Sequence, residues 1–320
     1  MQTYIIRRFI LIIPTLLLAS FLVFSVIRLV PGSAVDVMVS RLDQRQGTTE
    51  GQRELIMKEL GLDVPIYVQY GRWIGDIVLH GSLGRSMWEQ TSVSEEIFKR
   101  FPITLELVVL GLATALLISF PIGIYSAIRQ DTIGDYIARS FAIACIAVPF
   151  FWVGTLVIVF PSIWWGWTPP ILYTNFVDNP IENLKQVILP AVIMGMVLSG
   201  VNMRMMRTMM LEVLRQDYIR TAWAKGLRER VIVMRHALRS ALIPVITILG
   251  LQIPVLIGGT VIIEQIFVLP GLGSLLVGSA FSRDYTTLSG VVFILAIAIL
   301  ITNLIVDLTY GFLDPRVRYQ

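Results

Sequence analysis

The strongest constraint on the fold of this chain is a series of apolar stretches, each close to the roughly 20 residues that a helix needs to cross a bilayer. Charged residues are only 15% of the chain, against roughly 25% in soluble domains. The sequence therefore predicts an all-α polytopic membrane protein with about six transmembrane helices. The predicted spans lie near Phe9–Leu29, Leu105–Ile128, Phe141–Phe160, Val187–Met206, Leu242–Ile263 and Val291–Leu308.

The positions of the basic residues predict which connections face the cytoplasm. Short connections rich in Lys and Arg stay on the cytoplasmic side of the membrane. Arg129 and Arg139 flank the second connection, a basic block at residues 211–244 forms the fourth, and Arg316 and Arg318 lie near the end of the chain. With an even number of spans, both termini are predicted to be cytoplasmic. The long first connection and the Trp-rich third connection are predicted to be external.

The first span and the first connection define the predicted domain organisation. The N-terminal apolar run is longer than the roughly 7–15 residues of a signal-peptide core, so we expect it to be retained as a transmembrane helix. The mixed charge and the turn signals of the first connection indicate a small folded cap. The prediction is a first transmembrane helix at residues 1–30, an extracytoplasmic cap at 31–102, a transmembrane core at 103–312 and a cytoplasmic tail at 313–320.

The basic block predicts a bent helical segment between the fourth and fifth spans. Residues 217–225 have helical composition, and Gly226 can adopt the positive φ at which many helices end. A second amphipathic helix is predicted at 228–238, with Pro244 marking the start of the fifth span. This elbow, residues 211–240, is expected to act as a lever on the two spans. A helix resting among lipid headgroups would have a similar composition.

The sequence lacks the motifs of nucleotide hydrolysis and of common hydrolases. The Gly-rich turn Pro270–Gly273 has no lysine of the kind found in phosphate-binding loops. His80 and His236 fall in connections on opposite sides of the membrane, and Cys145 stands alone in an apolar run, so no metal-type spacing occurs. We therefore expect a transport subunit and not an enzyme. We also expect no bound cofactor or metal, and ATP hydrolysis supplied by another chain.

Charged residues within a membrane are costly and by default mark functional sites. Arg28, Glu106, Glu264 and Asp307 all lie near predicted span ends, where snorkelling to the interface can relieve the cost. The lack of a charge at the centre of any predicted span argues against an ion-coupled carrier. The net charge of +4 comes largely from basic residues at span ends, so it indicates topology and not binding to nucleic acid.

Methionines and prolines are concentrated in the predicted spans. Met is adaptable, so a cluster of Met side chains can pack a core, line a permissive passage or ligate a soft metal; we expect core packing here. Prolines within spans predict kinked helices. The clustered methionines are Met194, Met196, Met203, Met205, Met206, Met209 and Met210. The prolines are Pro14, Pro121, Pro149, Pro190 and Pro254.

The basic block also carries a signature. Asp217–Leu227 reads DYIRTAWAKGL and is followed by His236–Arg239 and Leu242–Pro244. These segments resemble the cytoplasmic EAA signature of permease subunits in bacterial ABC importers, and most closely the dipeptide/oligopeptide/nickel branch. Arg220-Thr221-Ala222 stands in place of the literal Glu-Ala-Ala. Further matches that extend the resemblance over the chain are Tyr4 with Arg7-Arg8, Gly81–Gly84, Pro102 with Thr104–Leu107, Pro270–Gly273, and Asn303–Asp307 with Asp314–Arg316.

The resemblance implies a type I ABC importer permease with a MetI-like core in a bacterial cytoplasmic (inner) membrane. Such a subunit pairs with a second homologous permease, two cytoplasmic ABC ATPases that bind ATP and Mg, and an extracytoplasmic substrate-binding protein. The elbow would be the coupling helix that docks into an ATPase groove, with Ala222 on the docking face. The implied coupling residues are Asp217, Tyr218, Arg220, Thr221, Ala222, Ala224, Lys225, Gly226 and Leu227.

The resemblance leaves the substrate open. Peptides are the leading expectation, and oligosaccharides and nickel are the alternatives within the same branch. Nickel finds few candidate ligands, which are His80 in the external connection and Cys145 within a span. No substrate-binding residue is assigned to this chain. An ion-coupled carrier and a membrane enzyme or scaffold fit less well, because the spans lack central charges and no catalytic constellation occurs.

Overall fold

A computed structural model describes residues 2–29, 63–170 and 172–313 of the chain. The first part of the predicted cap, residues 31–62, and the tail from Asp314 onward lie outside the described residues. The helices are α1 (Gln2–Leu29), α2 (Ile66–His80), α3 (Val93–Ile128), α4 (Ile133–Ala147), α5 (Phe150–Trp165), α6 (Pro180–Leu214), α7 (Asp217–Ala224), α8 (Glu229–Ile266), α9 (Leu272–Ser282) and α10 (Tyr285–Leu313).

The predicted all-helical membrane architecture is confirmed, with one change in the third span. Five helices among the described residues are long and apolar enough to cross a membrane, or up to six if a bent pair counts as one span. That pair is α4 and α5, which meet at an angle of 90°. The expectation of a single helix over Phe141–Phe160 is therefore wrong. Val148 is extended at φ −92° and ψ 122°, because the ring of Pro149 disfavours helical backbone in the preceding residue.

The fifth span begins earlier than predicted, because helix α8 is continuous from Glu229. A π-helical segment, Ile232–Ala237, continues directly into Leu238–Ile266, and Pro244 lies inside the helix. The predicted separate helix at 228–238 is thus the first part of the span. The reason is a buried apolar stripe that crosses the predicted boundary. Its members are Ile232, Val233, Ala237, Ala241, Val245 and Leu249.

The chain divides into two compact units, of which the first comprises the described residues of Ile103–Pro270 and of Ile301–Gln320. Much of its core is a cluster that joins the ends of α3 and α6 to α7 and α8. Met206 and Met210 are fully buried in this cluster, and Met203 is buried in a neighbouring one. The expectation that the methionines pack the core is therefore confirmed for these residues.

The second unit contains the described parts of Gln2–Pro102 together with Gly271–Leu300. Its core packs the start of α3 against α9 and the start of α10. The turn after α2 closes onto this core: Ser86 Oγ donates to Asp284 Oδ2 at 2.5 Å, and Trp88 Nε1 donates to the Ser282 carbonyl at 2.9 Å. The described part of the predicted cap is thus folded together with the segment around α9.

Candidate functional site

Helix α7, the first arm of the elbow, is attached along one face to the two helices that flank it. Ile219 is fully buried and Ala222 is nearly so. Both pack in one cluster with Met206 and Met210 of α6 and with Ile232 of α8. A spacing of three residues puts two side chains on the same helix face. The elbow is therefore held by apolar contacts to the end of α6 and to the start of α8.

The turn after α7 has the hydrogen bonds of a Schellman motif. The Leu227 N–H donates to the Ala222 carbonyl at 3.4 Å, and the Gly226 N–H donates to the Trp223 carbonyl at 2.9 Å. Gly226 has a φ of +74°, which favours glycine because a side chain clashes in left-handed backbone. The prediction that Gly226 ends the helix at positive φ is confirmed.

The other face of α7 and its turn is open and chemically mixed. Tyr218, Trp223 and Leu227 are large apolar side chains with 47%, 48% and 37% of their surface exposed. Asp217 and Arg220 form an ion pair of 3.2 Å that is largely exposed, so it contributes little to stability. Aromatic and Arg side chains are enriched in protein interfaces. This surface is suited to contact with another protein.

The predicted coupling residues fall on this open surface, except for Ala222. The expectation that Ala222 faces a docking partner is wrong, because its position three residues after Ile219 places it in the buried stripe. Its side chain fills the chain's own core and is 7% exposed. The exposed predicted residues are Asp217, Tyr218, Arg220, Thr221, Ala224, Lys225, Gly226 and Leu227.

One further contact joins the two arms of the elbow. The hydroxyl groups of Tyr218 and Ser240 lie 3.2 Å apart, within hydrogen-bond distance. No function is assigned to Ser240 from sequence alone. Ser240 comes close to Tyr218 because α8 is continuous through this region and runs alongside α7.

A buried ion pair near the elbow was missed by sequence reasoning. Asp135, at the start of α4, is fully buried and accepts hydrogen bonds from Arg207 of α6 at 2.9 and 2.7 Å. The same carboxylate accepts from Ser126 of α3 and from the Asp131 N–H at 3.0 Å. Arg139 Nη1 lies 3.9 Å from Asp135 Oδ2. The one available signal was Asp135 three residues after Thr132, a typical helix-capping arrangement that also suits an exposed helix end.

A second polar cluster joins the connection after α5 to α3 and α6. Tyr173 donates to Glu106 Oε2 at 3.2 Å, and Asn183 Nδ2 donates to the Tyr173 hydroxyl at 2.9 Å. Burial and the Glu106 charge raise the pKa of Tyr173, so its phenol stays protonated and remains a donor. Glu264 is fully buried and accepts from Thr104 at 2.7 Å. Glu264 is thus buried with a protein donor, so the expected snorkelling is wrong for Glu264, whereas Glu106 is half-buried and accepts through Oε2.

These clusters position helices and have no arrangement suited to bond chemistry. Across residues 2–29, 63–170 and 172–313, no group of three or more His, Cys, Asp or Glu side chains is placed to hold a metal ion. The Asp135 carboxylate is fully engaged with Arg207 and its other donors. What the site offers is an elbow that is packed against α6 and α8 on one face and open on the other.

The fold and the site together define a polytopic helical membrane protein with an elbow that is fixed on one face and open on the other. The sequence comparisons specify its family. Residues 119–319 match the family described as binding-protein-dependent transport system inner membrane component. Residues 1–108 match the corresponding N-terminal family. The chain belongs to this family, whose members are transport subunits and not enzymes, and the resemblance inferred from the elbow is confirmed.

Curated relatives match over their whole length. The oligopeptide transport system permease protein AppB of Bacillus subtilis is 41% identical over 324 residues, covering 100% of both chains. The dipeptide transport system permease protein DppB of Escherichia coli K12 is 36% identical over 343 residues, again covering 100% of both.

A solved structure shares the fold. A chain of the MetNI methionine ABC transporter, in an inward-facing conformation, superposes with a TM-score of 0.56 at 15% identity. The match covers 68% of the present chain and 96% of that chain. The predicted MetI-like core is therefore confirmed as a fold.

Proposed function

We propose that this chain is the permease subunit of an ATP-driven, binding-protein-dependent importer of dipeptides and oligopeptides. It would form half of the translocation pore with a second homologous permease. The observation that carries the proposal is the elbow, which is fixed along one face and open along the other. Full-length similarity to an oligopeptide and a dipeptide permease supports the same function.

In this proposal the open face of α7 docks into a groove of one of two cytoplasmic ABC ATPases. Tyr218, Trp223 and Leu227 would supply apolar contact, and Arg220 and Lys225 would supply positive charge. Because α7 is packed against both α6 and α8, its displacement would move both helices. ATP and Mg would bind to the ATPases, so this chain needs no cofactor of its own.

The proposed topology places the elbow and both termini in the cytoplasm. The support is the concentration of Lys and Arg in residues 211–244 and in the short connection between Arg129 and Arg139. The cap at residues 31–102 would then be extracytoplasmic. The substrate-binding protein would dock on the external connections and release its cargo toward the pore.

Peptides are the proposed cargo, ahead of oligosaccharides and nickel, because both relatives described above are named as peptide permeases. In such importers the binding protein sets most of the specificity. A calorimetric screen of the partner binding protein against peptides, oligosaccharides and nickel chelates tests this assignment. Tight binding of an oligosaccharide or a nickel chelate, with no peptide bound, would contradict it.

Cross-linking tests the docking of the elbow. Leu227→Cys in a Cys145→Ser background should cross-link to an ATPase subunit carrying a cysteine in its docking groove. Val177→Cys is the matched control, because its side chain is 90% exposed but lies in the connection between α5 and α6. A cross-link from Val177→Cys to the ATPase, and none from Leu227→Cys, would refute the proposed orientation.

A further inference from the structure

The ion pair between Asp135 and Arg207 lies outside the proposed docking face but joins the helix that carries the elbow to two others. Arg207 Nε and Nη2 reach the two carboxylate oxygens at 2.9 and 2.7 Å, which is a bidentate geometry. Ser126 of α3 donates to the same carboxylate. One buried carboxylate thus holds together α3, α4 and α6.

The helix packing around the pair is close. A Cβ atom added at Gly123 of α3 would lie 2.8 Å from the Met206 Cβ of α6. A Cβ atom added at Gly200 of α6 would lie 2.6 Å from the Ala142 carbonyl oxygen of α4. Small residues permit such approach of helix backbones in membranes. The three helices therefore pack closely along the part of α6 that leads up to Arg207.

The pair is also next to the elbow in the chain and in the packing. Arg207 lies between Met206 and Met210, which are both fully buried. These two Met side chains belong to the cluster that contains Ile219 and Ala222 of α7. The carboxylate that fixes this part of α6 therefore also fixes the surface on which α7 rests.

We infer that Asp135 and Arg207 are positioning residues that lock α3, α4 and α6 into one body, so that a displacement of the elbow moves all three helices. The inference rests on the proposed function of the elbow. Loss of the carboxylate leaves Arg207 without its partner in a largely buried setting, and a buried charge without a partner is costly. The end of α6 then shifts or loosens, and the elbow moves without α3 and α4.

The functional test measures ATP hydrolysed per peptide imported in proteoliposomes that contain the whole transporter. Asp135→Asn should raise this ratio by about 2- to 30-fold, the range found for mutations along coupling networks. Ser126→Ala should raise it less, since it removes a hydrogen bond and leaves the ion pair. Val187→Ala is the control, because it opens a cavity at a fully buried site far along α6 from the pair. An unchanged ratio in both Asp135→Asn and Ser126→Ala, or an equal rise in Val187→Ala, would overturn the inference.

Hydrogen exchange on the purified full-length chain in detergent tests the same inference without transport. Asp135→Asn should speed amide exchange in residues 217–227 and near Ser126, while Val187→Ala should leave the elbow as protected as in the wild type. Equal elbow protection in all three proteins would refute the mechanical link. If the wild-type assembly imports no peptide while this exchange pattern holds, the proposed function fails and the positioning assignment stands.

Discussion

Gly226→Val is the sharpest test of the elbow, because the structure separates its backbone effect from any steric effect. At a φ of +74°, a residue with a side chain is strained, by about 1–2 kcal/mol. A Cβ atom at this position meets nothing within 4 Å. The penalty is therefore purely conformational, and it corresponds to about a 5- to 30-fold shift against the native turn.

This penalty should uncouple the transporter without unfolding the chain. The strain falls on the Schellman turn, whose distortion changes the angle between α7 and α8, while Ile219 and Ala222 remain available to pack. We expect Gly226→Val to insert and accumulate normally but to lose most peptide uptake and peptide-stimulated ATP hydrolysis. Both activities are measured in the reconstituted assembly, with protein level measured in parallel.

Two matched variants isolate the cause. Gly166→Val carries the same kind of penalty, since Gly166 has a φ of +64° and open space around it, but it ends α5 and lies far along the chain from the elbow. It should leave coupling intact. Gly226→Asn should retain more uptake than Gly226→Val, because Asn tolerates left-handed backbone. Normal uptake in Gly226→Val, or an equal loss in Gly166→Val, would refute the assignment of the elbow as the coupling element.

Two other substitutions and one assay of the unaltered chain have expected outcomes. Ala222→Asp should lower the folded fraction in a detergent thermal-unfolding assay, because an unpaired charge in an apolar core costs roughly 3 kcal/mol or more. A thermal-unfolding curve that matches the wild type would place Ala222 on the surface. Arg228→Cys in a Cys145→Ser background should resist an impermeant thiol reagent in intact cells and react in inverted vesicles, and labelling from outside would reverse the proposed topology. The purified chain alone should hydrolyse no ATP, because it has no phosphate-binding loop; turnover that persists after removal of every co-purifying ATPase would contradict the proposal.

The features that sequence predicted well are those that depend on local physics. Spans such as Val187–Met206 follow from the length of apolar runs, and the structure places them in helices. Gly226 followed from the conformational freedom of glycine at a helix end. Pro149 was expected to kink its span, and the extended backbone of Val148 turns that kink into a 90° break between two helices.

The features that sequence missed depend on contacts between residues far apart in the chain. The residues around Asp135 indicate only a helix start in a basic connection. Arg207, which is 72 residues away in the chain, reaches the Asp135 carboxylate only in the folded helix bundle. Glu264 was expected near the interface because of its place in the span, but a donor from another helix, Thr104, allows it to be fully buried. Hydropathy does not distinguish a paired buried charge from an exposed one, since it describes one segment at a time.

The π-helical segment Ile232–Ala237 explains how one helix serves both the elbow and the span. A π turn inserts a residue into helical backbone and often occurs at functional sites. Here it lets the adjacent residues Ile232 and Val233 both be buried against the elbow cluster. From Ala237 onward the buried positions recur every four residues through Leu249. The buried face of α8 therefore holds α7 at one end and packs within the helical core at the other, so α8 joins the elbow directly to the span.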